Sequence, residues 1–198
     1  MVLNHFRQIF LIVSGLLIAG YKFSRFGVES PEYTVVKNDG DFEIRNYPEM
    51  VIVTTPMADP RPDEGTSFMR LFRYISGSNE AEEKIAMTTP VLTTEEDGER
   101  YMSFIVPQNV AAEGAPASMS DLVNVQSMSG GKYAVYRFDG SWNMDTFEMA
   151  KVRLAEWLAS QNLTPIGEPV IANYDPPYTP SFLKRNEIMV PLKSGNDS

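Results

Sequence analysis

Few residues in this chain are equipped for chemistry. Of its 198 residues none is cysteine, and the only histidine is His5. Without thiolates there are no disulfides, no sulfur nucleophile and no cysteine-held metal. Beyond His5 no imidazole exists to act as a general base or to hold iron or zinc. Serine–histidine–acid triads, HExxH sites and facial triads are therefore excluded. Asp, Glu, Tyr and Lys remain, and no pair of carboxylates stands at a recognisable catalytic spacing, so we expect a protein that is not an enzyme. The acidic run Glu95-Glu96-Asp97-Gly98-Glu99 lacks calcium-loop spacing and reads as a solvated turn. Glu43 and Arg45, two apart in an expected strand, share a face, and one of them is expected to pair across the barrel in a structural rather than a catalytic role. Met87, Met102 and Met189 fall in apolar strand-like runs and read as core rather than ligands. Trp142 and Trp157 read as packing anchors around a helix. No glycine-rich nucleotide loop is present.

The net charge of −9 is unevenly spread. Residues 1–27 hold Arg7, Lys22 and Arg25 and no acid, a charge of +3. The rest hold 14 bases and 26 acids, a charge of −12. Such a domain repels phosphate backbones, so no nucleic-acid partner is expected. Between Arg7 and Lys22 lie 14 uncharged residues. As a helix they rise roughly 21 Å, short of the roughly 30 Å hydrocarbon core unless Phe6 and Phe23 are included. We expect residues 1–27 to be an apolar helix that anchors the chain in a membrane through residues 6–23, or an export signal. Ile18-Ala19-Gly20 is a poor cleavage site. The chain is then membrane-anchored, or periplasmic if the segment is removed.

The domain, 28–198, must position whatever remains. Period-two runs rich in Val, Ile, Thr, Tyr and Phe predict strands at Tyr33–Lys37, Phe42–Tyr47, Met50–Pro56, Lys84–Thr94, Arg100–Pro107, Leu122–Met128, Lys132–Phe138, Pro169–Tyr174 and Glu187–Leu192. Asp39-Gly40, Asp97-Gly98 and Gly130-Gly131 carry hairpin chemistry. Two stretches switch to helical period. In Asp63–Gly77 the stripe is Phe68, Leu71, Phe72 and Ile75, with Asp63 as N-cap and Gly77 as stop. In Asn143–Ser160 it is Phe147, Ala150, Leu154, Trp157 and Leu158, with Asn143 as N-cap. Strand, helix, strand, strand thus occurs twice, and both closing strands end in Val-Pro, at Pro107 and Pro191. A pseudo-twofold α+β fold follows, its halves joined by Asn109–Ser120.

Five blocks resemble the SOUL haem-binding protein family, in order and at family-like spacing over about 150 residues. They are Phe42-Glu43-Ile44-Arg45-Asn46-Tyr47; Leu71-Phe72-Arg73-Tyr74-Ile75-Ser76-Gly77-Ser78-Asn79; Lys84-Ile85-Ala86-Met87-Thr88-Thr89-Pro90-Val91; Met102-Ser103-Phe104-Ile105-Val106-Pro107; and the pair Tyr174-Asp175-Pro176-Pro177 and Arg185-Asn186-Glu187-Ile188. The resemblance implies a distorted antiparallel β-barrel of two sheets flanked by two helices. It also implies a haem or other tetrapyrrole ligand, with no catalytic activity established for the family as a whole.

A tetrapyrrole needs apolar walls, cations near its carboxylates and, optionally, an axial ligand. The resemblance assigns walls to Phe68 and Phe72, a pattern equally expected of ordinary core, with Tyr178 and Phe182 closing the opposite side. It places the axial histidine of some members at Asn46, which is a poor iron ligand. It sets propionate-binding bases where Gly65 and Thr179 stand here; Arg73, with Arg70, Lys184 and Arg185, is the substitute. We expect non-covalent, weak haem binding without a histidine ligand and without a metal site of the protein's own. The alternatives are a small-molecule module of the effector-binding type, with Glu187 or Glu43 as an acidic floor, and a structural or interaction domain with a filled interior.

Overall fold

The computed structural model describes residues 28–58, 65–141 and 143–193. The expected N-terminal helix, the cap Asp63 and Trp142 lie outside them. Among the described residues no helix is long and apolar enough to cross a membrane.

The chain is α+β. The described residues form nine strands and three α-helices: β1 (Thr34–Asp39), β2 (Phe42–Tyr47), β3 (Met50–Pro56), α1 (Ser67–Ile75), β4 (Val91–Glu96), β5 (Glu99–Ile105), α2 (Gln108–Glu113), β6 (Asn124–Met128), β7 (Gly131–Asp139), α3 (Met144–Ser160), β8 (Val170–Asn173) and β9 (Arg185–Pro191). The strands form one antiparallel sheet in the order β1-β2-β7-β9-β8-β4-β5-β3-β6. The expected two sheets are thus one, because β4 pairs β8 across the middle at Val91–Asn173, Leu92–Ala172 and Thr93–Ile171. Nor does the sheet close into a barrel: β1 and β6 end the order, unpaired with each other.

The order is palindromic about that seam. Outward on one side run β4, β5, β3, β6, and on the other β8, β9, β7, β2. This is the pseudo-twofold arrangement expected from the repeated strand–helix–strand–strand pattern. β2 nevertheless leads directly into β3, next to the opposite end of the order, through Pro48 and Glu49. β6 leads back into β7 through Ser129 and Gly130. The two links cross closely. A Cβ built on Gly130 would lie 2.6 Å from the Glu49 nitrogen and 2.9 Å from the Tyr47 oxygen. Gly130-Gly131 is therefore a crossing and not a hairpin turn, since β6 pairs with β3 and β7 with β2 and β9. Pro48 has no N–H to extend a ladder, which ends β2 there. The other two turns are tight hairpins, and Asp97 and Gly98 both take positive φ, 52° and 81°.

Alternate residues of the strands serve two faces. On the concave face Tyr47, Met50, Ile52, Leu92, Ile105, Tyr133 and Met189 pack together. On the outer face α3 covers Ile44, Ala134, Ile188 and Val190, and α1 covers Val53 and Phe104. Asn143 caps α3 with a capping box through Thr146. α1 starts later than expected, with Thr66 as N-cap, and ends in a Schellman turn at Gly77. Residues 84–90, expected as strand, are not: the Pro90 nitrogen has no proton for a ladder. The expected connector Asn109–Ser120 overlaps α2, which is anchored by buried Val110.

Candidate functional site

Phe68 and Phe72 lie one turn apart on α1, so they share its outward face. Their rings stack at 6.2 Å, and Phe68 meets Phe104 of β5 edge-on at 5.3 Å. They are 41% and 44% exposed, while Leu71 and Ile75 of the same stripe are buried. The stripe thus splits: its inner half is core and its outer half is an aromatic surface. Arg73 is exposed on the same helix, and its guanidinium reaches toward Gly65. Arg70 is not a surface cation. It is buried, and its guanidinium donates to Thr55 Oγ1 and to the Gly65 and Pro56 carbonyls, which ties α1 to the end of β3.

The remaining expected site residues lie elsewhere. Tyr178 and Phe182 are 87% and 74% exposed in the segment leading into the 3-10 turn Ser181–Leu183. No aromatic contact among the described residues joins them to Phe68 or Phe72. The Lys184 ammonium donates to the Pro177 carbonyl. Asn46 is exposed on β2 and lines a groove of about 1020 Å³ with Thr34, Met50, Ile105 and residues of α2. Phe68 and Phe72 do not line that groove. Its walls also carry Glu29, Glu32 and Glu49. The sequence therefore assembled into one site residues that the fold distributes over at least two places.

A buried ion cluster was only half legible. Glu187 is fully buried on the concave face of β9. Arg45 donates to both its oxygens, at 2.7 and 3.0 Å. Arg185 donates from Nε at 2.9 Å and the Tyr174 hydroxyl at 3.0 Å. Arg45 also bonds Glu43 at 2.6 Å and lies over the Tyr33 ring at 4.3 Å. Burial alone would raise the Glu187 pKa, but the two guanidiniums hold it below the usual carboxylate range. Burial lowers and Glu187 raises the Arg45 pKa, and the net shift is upward. Burial pushes Tyr47 up to about 12 and Tyr174 well above its ordinary value, helped there by the charge of Glu187. Glu187 is thus a carboxylate whose charge is already met twice, not an open acidic floor for a cation. Position alone put Glu43 and Arg45 on one face and allowed a partner across the sheet for one of them, but could not name it: Glu187 lies 142 residues from Arg45 and only the β2–β7–β9 register brings it in.

Several solved structures share the architecture. The C-terminal domain of EcmrR superposes with a TM-score of 0.56 at 11% identity, over 82% of this chain and 98% of that one. A hydrolase from Listeria innocua gives 0.53 at 10% identity, over 80% and 94%. At such identities the likeness is one of fold. No curated protein sequence matches the chain. The SOUL heme-binding protein model matches residues 28–191, from the first described residue to the end of β9, and the chain therefore belongs to that family.

Proposed function

We propose that this protein is a non-catalytic tetrapyrrole binder that holds its ligand on the outer face of α1 without a histidine ligand to the iron. The observation that carries this reading is the stacked, exposed pair Phe68 and Phe72, with Phe104 beneath. Aromatic side chains left outside a packed core form a flat apolar platform of the kind a porphyrin ring covers. Arg73 is placed to meet a propionate. The absence of histidine from residues 28–198 removes imidazole ligation. Tyr178 and Phe182 are likewise exposed and free to close over a bound ligand, and residues 6–23 serve to hold the domain at a membrane. The effector-type alternative is disfavoured at Glu187, whose charge is already paired.

Haemin titration of the full chain tests the reading. We expect saturable, weak binding with no histidine-ligated spectrum. Phe68→Ala and Phe72→Ala should each weaken it about tenfold, about 1.4 kcal/mol, with little change in Tm because both rings are half exposed. A sharp low-spin bis-nitrogen Soret band, or undiminished binding by the double variant, overturns it.

A further inference from the structure

The two halves of the sheet treat one equivalent position in opposite ways. About the β4–β8 seam, Leu92 corresponds to Ala172. Leu92 pairs with Ser103 on β5, and Ala172 pairs with Glu187 on β9. Ser103 therefore stands in the first half where Glu187 stands in the second. The repeated Val-Pro at the ends of β5 and β9 keeps the same register.

Around Glu187 the concave face is filled by Arg45, Arg185 and Tyr174. Around Ser103 it is open: a cavity of about 730 Å³ lies against it. The floor of that cavity is apolar, from Ile52, Leu92 and Val170, all buried. Ser103 is 1% exposed, and its hydroxyl is the one buried side-chain polar atom without a hydrogen-bond partner among the described residues. A buried hydroxyl without a protein partner is costly, and Ser103 Oγ thus keeps an unused donor and acceptor at the wall of the cavity. The rim is acidic. Glu95, Glu96 and Asp97 come from the β4–β5 hairpin and Glu168 from the approach to β8. No Lys or Arg lines the cavity.

We propose that this cavity is a second binding site, for an organic cation with an apolar body. The apolar part rests on Ile52, Leu92 and Val170. The cationic end lies among Glu96, Asp97 and Glu168, whose summed field also concentrates cations at the entrance. Ser103 meets a polar atom of the ligand or of a water that enters with it. The same rim repels a dicarboxylate, so the site is separate from the tetrapyrrole surface on α1.

The test is calorimetric titration of the full chain with (4-phenylbutyl)trimethylammonium, and with 4-phenylbutanesulfonate as the anion of like shape. The cation is expected to bind once per chain and the sulfonate not at all. The rim variant Glu96→Gln/Asp97→Asn/Glu168→Gln should weaken the cation at least tenfold and flatten its salt dependence. Ser103→Leu, which fills the cavity, should do the same with Tm unchanged or raised. Haemin binding should be unaffected by either variant, which separates this site from the one on α1. No saturable binding of the cation, equal binding of the sulfonate, or full affinity in the rim variant overturns the proposal. The rim variant decides alone if Ser103→Leu does not fold.

Discussion

At the scale of single residues, Glu187 shows how a charge is kept inside a domain. Its two oxygens receive Arg45, Arg185 and Tyr174, so desolvation is offset by attraction at short range. Removing one partner from such a set leaves charges buried and unmatched. Glu187→Gln is expected to cost about 3–5 kcal/mol, read as a lower urea midpoint at pH 7. The pH dependence has a definite sign. The folded-state pKa of Glu187 lies below the ordinary carboxylate value of 4.5. Its contribution is therefore complete above about pH 4.5 and lost as pH falls through the folded value. Wild type should lose stability through that acid window, and Glu187→Gln should lose less. An equal acid loss in both would show that other carboxylates govern the transition. Residue types were legible in the sequence at this scale, and the absence of imidazole was legible outright. Partners were not, because Arg45 meets Glu187 only once three strands are in register.

At the scale of elements, local chemistry placed most of the strands and helices and failed where an element is defined by something distant. β2 and β3 match the predicted runs residue for residue, because alternation and the flanking turn residues are local signals. Asn143 was readable as a cap for the same reason. Gly130-Gly131 was misread as a hairpin, since a glycine pair looks alike whether it turns a strand or lets another chain pass. Gly130→Ala separates these roles. Its methyl group would stand against backbone atoms of the Pro48–Glu49 link, which no side-chain rotation relieves. We expect a loss of about 3 kcal/mol, measured as a drop in Tm. Gly140→Ala tests the contrast: an added Cβ there meets nothing within 4 Å, and only its φ of 120° resists it. If Gly130→Ala leaves Tm untouched, the crossing is looser than described.

At the scale of the whole molecule, the fold class was legible and its closure was not. Repeated strand–helix–strand–strand units announced the pseudo-twofold, but whether a curved sheet closes depends on edge pairing that no local run encodes. The same gap dispersed the candidate site. Asn46 and Phe72 belong to blocks that look equally like parts of one pocket, yet one lines the groove beside α2 and the other faces outward from α1. Asn46→His converts this separation into a measurement. With haemin on α1, the new imidazole should leave the Soret spectrum as it is. A histidine-ligated spectrum in that variant would move the ligand to the groove.

The crossing links also order the chain in time. The strands β3, β4, β5 and β6 pair among themselves, and they lie consecutively between residues 50 and 128. The other half is discontinuous: β2 has no neighbour in the sheet beyond the β1 hairpin until β7 exists. A chain made from its N-terminus can therefore complete the first half while the second is still unsynthesised. Its early hairpin must then wait, one edge unsatisfied, for a partner nearly ninety residues downstream. Joining the two closes a loop around the finished half, a long-range closure that carries a large entropic cost.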